Sequence, residues 1–140
     1  MPVIAQVRIA RPTDQLEQVV HFYRDGLGLP MLGGFEGHAG YDGVMIGLPG
    51  PDRHLELTHH AKPIPRSTPG PEDLLVLYYP DVAERDAVVA RLASLGFVPV
   101  APENPYWIDK AVTVPDPDGF RVVLFAGHFE PGPVPSRFAR

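Results

Sequence analysis

The chain has no cysteine in 140 residues. That excludes disulfides, thiolate metal sites and a cysteine nucleophile at one stroke, and it suits the cytoplasm, where we expect the protein to work. Long apolar runs are also missing. Nothing approaches the roughly 20 residues of a membrane-spanning helix, so no membrane partner is expected. The opening stretch MPVIAQVRIARP has no basic block followed by an apolar one, so it does not read as a signal peptide. Positive charge is scarce: Lys plus Arg total 12 against 17 Asp plus Glu, a formal charge of -5. Such a balance argues against nucleic acid or an anionic membrane surface as partner. A glycine-rich phosphate loop, an HExxH pair and a Ser-His-Asp arrangement are absent as well.

What is present is a regular alternation of strand and helix patterns. Val3, Ala5, Val7 and Ile9 alternate with Ile4, Gln6, Arg8 and Ala10, which predicts a strand over Val3 to Ala10. Thr13 or Asp14 is placed to cap the next helix, with Glu17 three residues after Asp14. Leu16, Val19, Val20, Tyr23 and Leu27 then recur at helical spacing, and the glycines of DGLGLP end the helix. GFEGHAGYDGVMIGL and RHLELTHH follow as strands around the turn PGPD. The proline-rich stretch 61–71 has no periodicity and reads as a linker. Beyond it lie the strand LLVLYYP, a helix opened by a capping box of Asp81 and Glu84, and the strands FVPVAPE, KAVTVPD and FRVVLF. The glycine- and proline-rich tail 128–140 is expected to be extended or mobile unless it packs on a partner.

The chain therefore repeats itself. Each half, 1–60 and 72–127, reads strand, helix, strand, strand, strand; the helix ends GLGLPML and SLGFVPV match, as do the pairs Val19-Val20 and Val88-Val89. One such unit cannot cover its own sheet, whereas two can share a core. The expectation is a single α+β domain over 1–127, two βαβββ modules forming a curved mixed sheet around a cleft, with the helices outside.

The ordered motifs LEQVVHFYRDGLGL, HLEL, DVAERDAVVARLASLGF and DPDGFRVVLF resemble the vicinal oxygen chelate superfamily over Val3 to Phe125. That group holds glyoxalase I, bleomycin- and fosfomycin-resistance proteins and extradiol dioxygenases. The resemblance implies a homodimer and, in metal-dependent members, four ligand positions, one on the first and one on the last strand of each half. Carried over singly, they fall here on Arg8 (or Gln6 in a shifted register), on Glu56, on Leu74 or Leu75, and on Val123. Glu56 alone keeps a ligating group, and a divalent ion needs several N or O donors. We therefore expect no metal cofactor; the alternative is Ni, Zn, Mn or Fe held by Glu56 with His54 or His60.

His54, Glu56, Thr58 and His60 alternate along one strand and so share a face, but neighbours two apart stand roughly 7 Å from each other along it, too far to converge unaided on one ion. Arg8 and Glu56 are expected to pair across the cleft, as a structural ion pair or as a working site with Glu56 as base and Arg8 as electrostatic stabiliser. His38 and Tyr41 in the glycine-rich GHAGYDG, and Tyr106 and Trp107 in ENPYW, are candidate ligand contacts, the latter two as an aromatic wall, a dimer contact or a plug. Arg11 beside Arg8 suggests one positive end to the cleft. The leading functional expectation is a protein that binds a small organic molecule without metal. The others are a metal-dependent lyase, isomerase or dioxygenase, and a metal-free enzyme.

Overall fold

The computed structural model describes residues 2–66 and 68–139. Met1, Ser67 and Arg140, which belong to the first module, the linker and the tail, lie outside the described residues. The first module runs β1 (Val7–Pro12), α1 (Leu16–Val20), a π-helical turn (His21–Gly26), β2 (Met31–His38), β3 (Tyr41–Gly47) and β4 (Arg53–His60). The second runs β5 (Leu74–Tyr79), α2 (Val82–Ser94), a 3-10 turn (Pro105–Trp107), β6 (Ala111–Pro115) and β7 (Arg121–Ala126). Two mixed sheets result, one of four strands in the order β1-β4-β3-β2 and one of three in the order β5-β7-β6. In each, the first strand of the module pairs in parallel with the last. No described helix is long and apolar enough to cross a membrane.

The α+β fold of two related modules is as expected, and the differences are local. β1 begins at Val7, leaving Val3 and Ile4 almost fully exposed despite their alternation. An edge strand persists only where a neighbour supplies hydrogen bonds, and β4 offers partners from Arg53 onward. Thr13 Oγ1 accepts the Gln15 N–H at 3.1 Å, while Asp14 pairs with Arg66 at 3.0 Å instead of capping. After Val20 the helix widens, with Leu27 N–H bonded to the Phe22 carbonyl five residues back. FVPVAPE contributes a single bridge, Val100 to Thr113, rather than a full strand. In α2, by contrast, Asp81 caps as expected, accepting the Ala83 N–H at 2.8 Å.

The core unites both modules. Val19, Phe22, Tyr23, Leu55 and Leu57 of the first pack with Leu77, Leu92, Val122 and Leu124 of the second. Gly26 lies so close to Leu92 that a Cβ there would stand 2.5 Å from Cδ2, so any larger residue would force Leu92 to shift. Arg91 Nε also donates to the Gly26 carbonyl at 2.9 Å. Because side chains alternate along a strand, burying Leu55, Leu57, Val122 and Leu124 on the helix side turns His54, Glu56, Arg121 and Val123 to the opposite face. The helices thus cover one face of each sheet and leave the other to form the site.

Candidate functional site

On the open face of the four-stranded sheet, β1 and β4 run in register with Arg8 beside His54 and Ala10 beside Glu56. Arg8 Nε donates to His54 Nε2 at 2.8 Å, and Arg8 Nη1 donates to Glu56 Oε2 at 3.2 Å. His54 is buried, and since its Nε2 accepts, the ring is neutral with its proton on Nδ1. The arginine side chain stays 47% exposed and the glutamate 17%, so the positive end is the accessible one. Met45 on β3 lies beside Glu56, and Gly43 beside Thr58. The Phe35 ring rests over Gly43, where a Cβ would stand 2.5 Å from Cζ. Met45, Phe35 and Ala10 give the charged group an apolar border.

The other expected site residues form two further groups. Tyr41 and His60 meet edge to face, ring centroids 4.4 Å apart, at the β2–β3 hairpin. His60 Nδ1 accepts the Lys62 N–H at 2.9 Å and Nε2 lies 3.3 Å from the Ala39 carbonyl, so this ring braces two chain segments. His38 is exposed at the end of β2, its ring edge-on to Phe35. Tyr106 and Trp107 sit in the 3-10 turn at the second sheet: Trp107 packs edge-on to Phe125, which adjoins Tyr78, and Tyr106 packs on Trp107. Lys110 Nζ stands 3.9 Å from the Tyr106 ring centre. Val123 faces away from the helices beside Val76 and Thr113 and is fully buried. The Thr113 hydroxyl next to it is buried without a hydrogen-bond partner among the described residues.

Arg11 turns the other way. Its Nη2 donates to Tyr23 Oη at 2.8 Å and to Asp116 Oδ2 at 3.1 Å, and Tyr23 Oη donates to the same oxygen at 2.7 Å. The second Asp116 oxygen accepts the N–H groups of Asp118 and Phe120. Burial, and then the Asp116 carboxylate, push the Tyr23 phenol well above its ordinary value. Arg11 is therefore consumed in joining the modules, and the positive end foreseen for the cleft is Arg8 alone. Asp116 was visible only as part of a turn motif, with nothing to reveal its partners 93 and 105 residues away.

The arrangement bears on metal binding through its donors. Arg8 lies against the lone pairs of His54 Nε2 and Glu56 Oε2 that a cation would need, and a guanidinium does not give up its proton. Among the described residues, no group of three or more His, Cys, Asp or Glu is placed to hold an ion. In this geometry the donor set does not fit a divalent metal. The site is also open: the cavities of about 800, 910 and 280 Å³ lie beside α1 and at the module junction, and none is lined by Arg8, His54 or Glu56.

Two modules of this topology, joined through their helices, define the glyoxalase/bleomycin-resistance fold of the vicinal oxygen chelate superfamily. Within it the chain belongs to the YycE-like family: the YycE-like N-terminal domain matches residues 7–58 and the YycE-like C-terminal domain residues 72–126. It is 48% identical over 120 residues to "Uncharacterized protein YycE" of Bacillus subtilis (strain 168), covering 86% of each chain. It is similar to the crystal structure of a YycE protein of unknown function from Bacillus subtilis, with a TM-score of 0.84 and 45% identity over 90% of this chain and 91% of that one. It is also similar to TnmS3, an antibiotic binding protein from Streptomyces sp. CB03234, with a TM-score of 0.63 and 25% identity over 90% and 98%.

Proposed function

We propose that the protein binds a small organic molecule on the open face of the four-stranded sheet without a divalent metal, a guanidinium standing where the resemblance puts a metal ligand. The observation that carries this reading is the Arg8 bridge to His54 Nε2 and Glu56 Oε2, at a position to which the resemblance assigns a metal ligand in metal-dependent members. A fixed cation there supplies positive charge without an ion. Tyr41, His38, Tyr106 and Trp107 supply aromatic surface within the same fold. The likeness to an antibiotic binding protein supports binding rather than turnover. An open face holds small molecules poorly, and Tyr78, Tyr106 and Ile108 leave apolar surface exposed. A homodimer that covers these faces is part of the proposal, as is a cytoplasmic location.

The test is elemental mass spectrometry of untagged protein never exposed to chelator, with heat stability followed during titration of Ni, Zn, Mn and Fe(II). The expected outcome is no stoichiometric metal and no stabilisation. Stoichiometric metal, or the stabilisation that tight binding to the folded state produces, would overturn the proposal and make a metal-dependent enzyme using Glu56 the better reading. A broad small-molecule library read through Trp107 fluorescence then tests binding, and Glu56→Gln tests any turnover found.

A further inference from the structure

Resting on the reading of the open face as a binding site, we infer that Arg8 anchors an anionic group of the ligand, an organic carboxylate carried on a flat apolar body. Arg8 has five N–H donors. One goes to His54 and one to Glu56. The remaining three, both on Nη2 and one on Nη1, have no acceptor among the described residues. They belong to one planar guanidinium, in which paired N–H groups match the spacing of the two oxygens of a carboxylate. The fork is held by two bonds to a buried histidine and a largely covered glutamate, so little side-chain freedom is lost on binding.

The sign of the ligand follows from accessibility. Glu56 is the only carboxylate of the group and already accepts from Arg8, whereas the guanidinium is the more exposed partner. His54 adds a neutral ring whose Nδ1–H has no acceptor among the described residues, a further donor and no competing charge.

The body of the ligand follows from the neighbours. Gly33 pairs with Met45, which in turn pairs with Glu56, so the position beyond Met45 carries no side chain. A Cβ at Gly33 would meet nothing within 4 Å. Met45 and Phe35 are half-buried and border this space. A flat group laid there covers the thioether and the phenyl ring while its carboxylate reaches Arg8.

The experiment uses 2-naphthoate, 2-naphthamide and 2-naphthylmethylamine as probes of matched shape. Their binding to the full chain is measured by saturation-transfer NMR, with the Arg8 Nε signal followed in nitrogen-15 spectra. We expect the carboxylate to bind roughly 10-fold more tightly than the amide, as a charge-assisted bond exceeds a neutral one. The preference should weaken with salt and vanish in Arg8→Gln, and Arg8→Lys should restore only part of it. Equal binding of the three probes, or a carboxylate preference surviving in Arg8→Gln, would overturn the anchor and leave the proposed function standing. Failure of all three would also overturn it, and the proposed function would then rest on the broad library. Thermal unfolding of Arg8→Gln near that of the parent confirms that the variant reports on the site and not on folding.

Discussion

Arg8 and Arg11 stand three residues apart on one strand and do opposite work. Arg8 faces away from the helices, half-exposed, and its bonds end on His54 and Glu56 of the neighbouring strand in the same module. Arg11 faces the helices with 16% exposure, stacks on the Phe120 ring at 3.9 Å, and joins a fully buried Asp116 from the other module. The first pair is reachable by water and ligand. The second is largely withdrawn from water, so its charges depend on one another. The same residue type thus serves recognition on one face and assembly on the other, and the odd spacing of a strand decides which.

This contrast breaks most clearly at Asp116. Asp116→Ala should cost about 3–5 kcal/mol in urea unfolding, because it strands a largely covered arginine, a buried phenol and two backbone N–H groups. A loss below about 1 kcal/mol would make the junction no more than a surface pair. Tyr23→Phe removes one hydroxyl and should cost about 1–2 kcal/mol. It should also change the alkaline limb. The folded-state phenol titrates above its unfolded value near 10, so stability is intact below about pH 10 and falls as pH rises beyond it. A part of that fall should disappear in Tyr23→Phe, and an unchanged alkaline profile would show that other groups govern it.

Arg8→Ala sharpens the other side. Its half-exposed guanidinium should contribute only about 1 kcal/mol to unfolding, while any ligand found on the open face should lose most of its affinity. A large stability loss with unchanged binding would reverse the roles assigned to the two arginines. The smallest effect is expected from Arg66→Ala, which loses contacts at 3.0 Å to Asp14 and 3.4 Å to Asp118. Both are partly solvated pairs, and the change in unfolding free energy should stay within about 0.5 kcal/mol.

Much of the fold was legible because periodicity carries burial directly. Leu55, Leu57, Val122 and Leu124 announce their core faces by alternation, and the same rule brings Glu56 and His54 to the other side. The Arg8–Glu56 pair was legible too, since it joins first and last strands of one repeat. His54 as the acceptor of Arg8 was not, because strand order does not say which ring nitrogen meets which guanidinium hydrogen. Gly26 read only as a helix terminator, whereas its missing Cβ also admits Leu92 from the second module. Val3 and Ile4 misled in the other direction: alternation fits a strand but supplies no neighbour to pair with it.

By itself, then, the sequence determined the two-module α+β fold, which face of each strand is apolar, and the placing of Arg8 and Glu56 on one sheet face, since these follow from local periodicity and an internal repeat. The tertiary structure alone decided that Arg11 is spent on Asp116 and Tyr23, that His60 braces a hairpin, and that the aromatic turn of Trp107 rests on Phe125. Each of these contacts depends on how far apart two segments come to lie once the helices have packed, a distance that chain order does not encode.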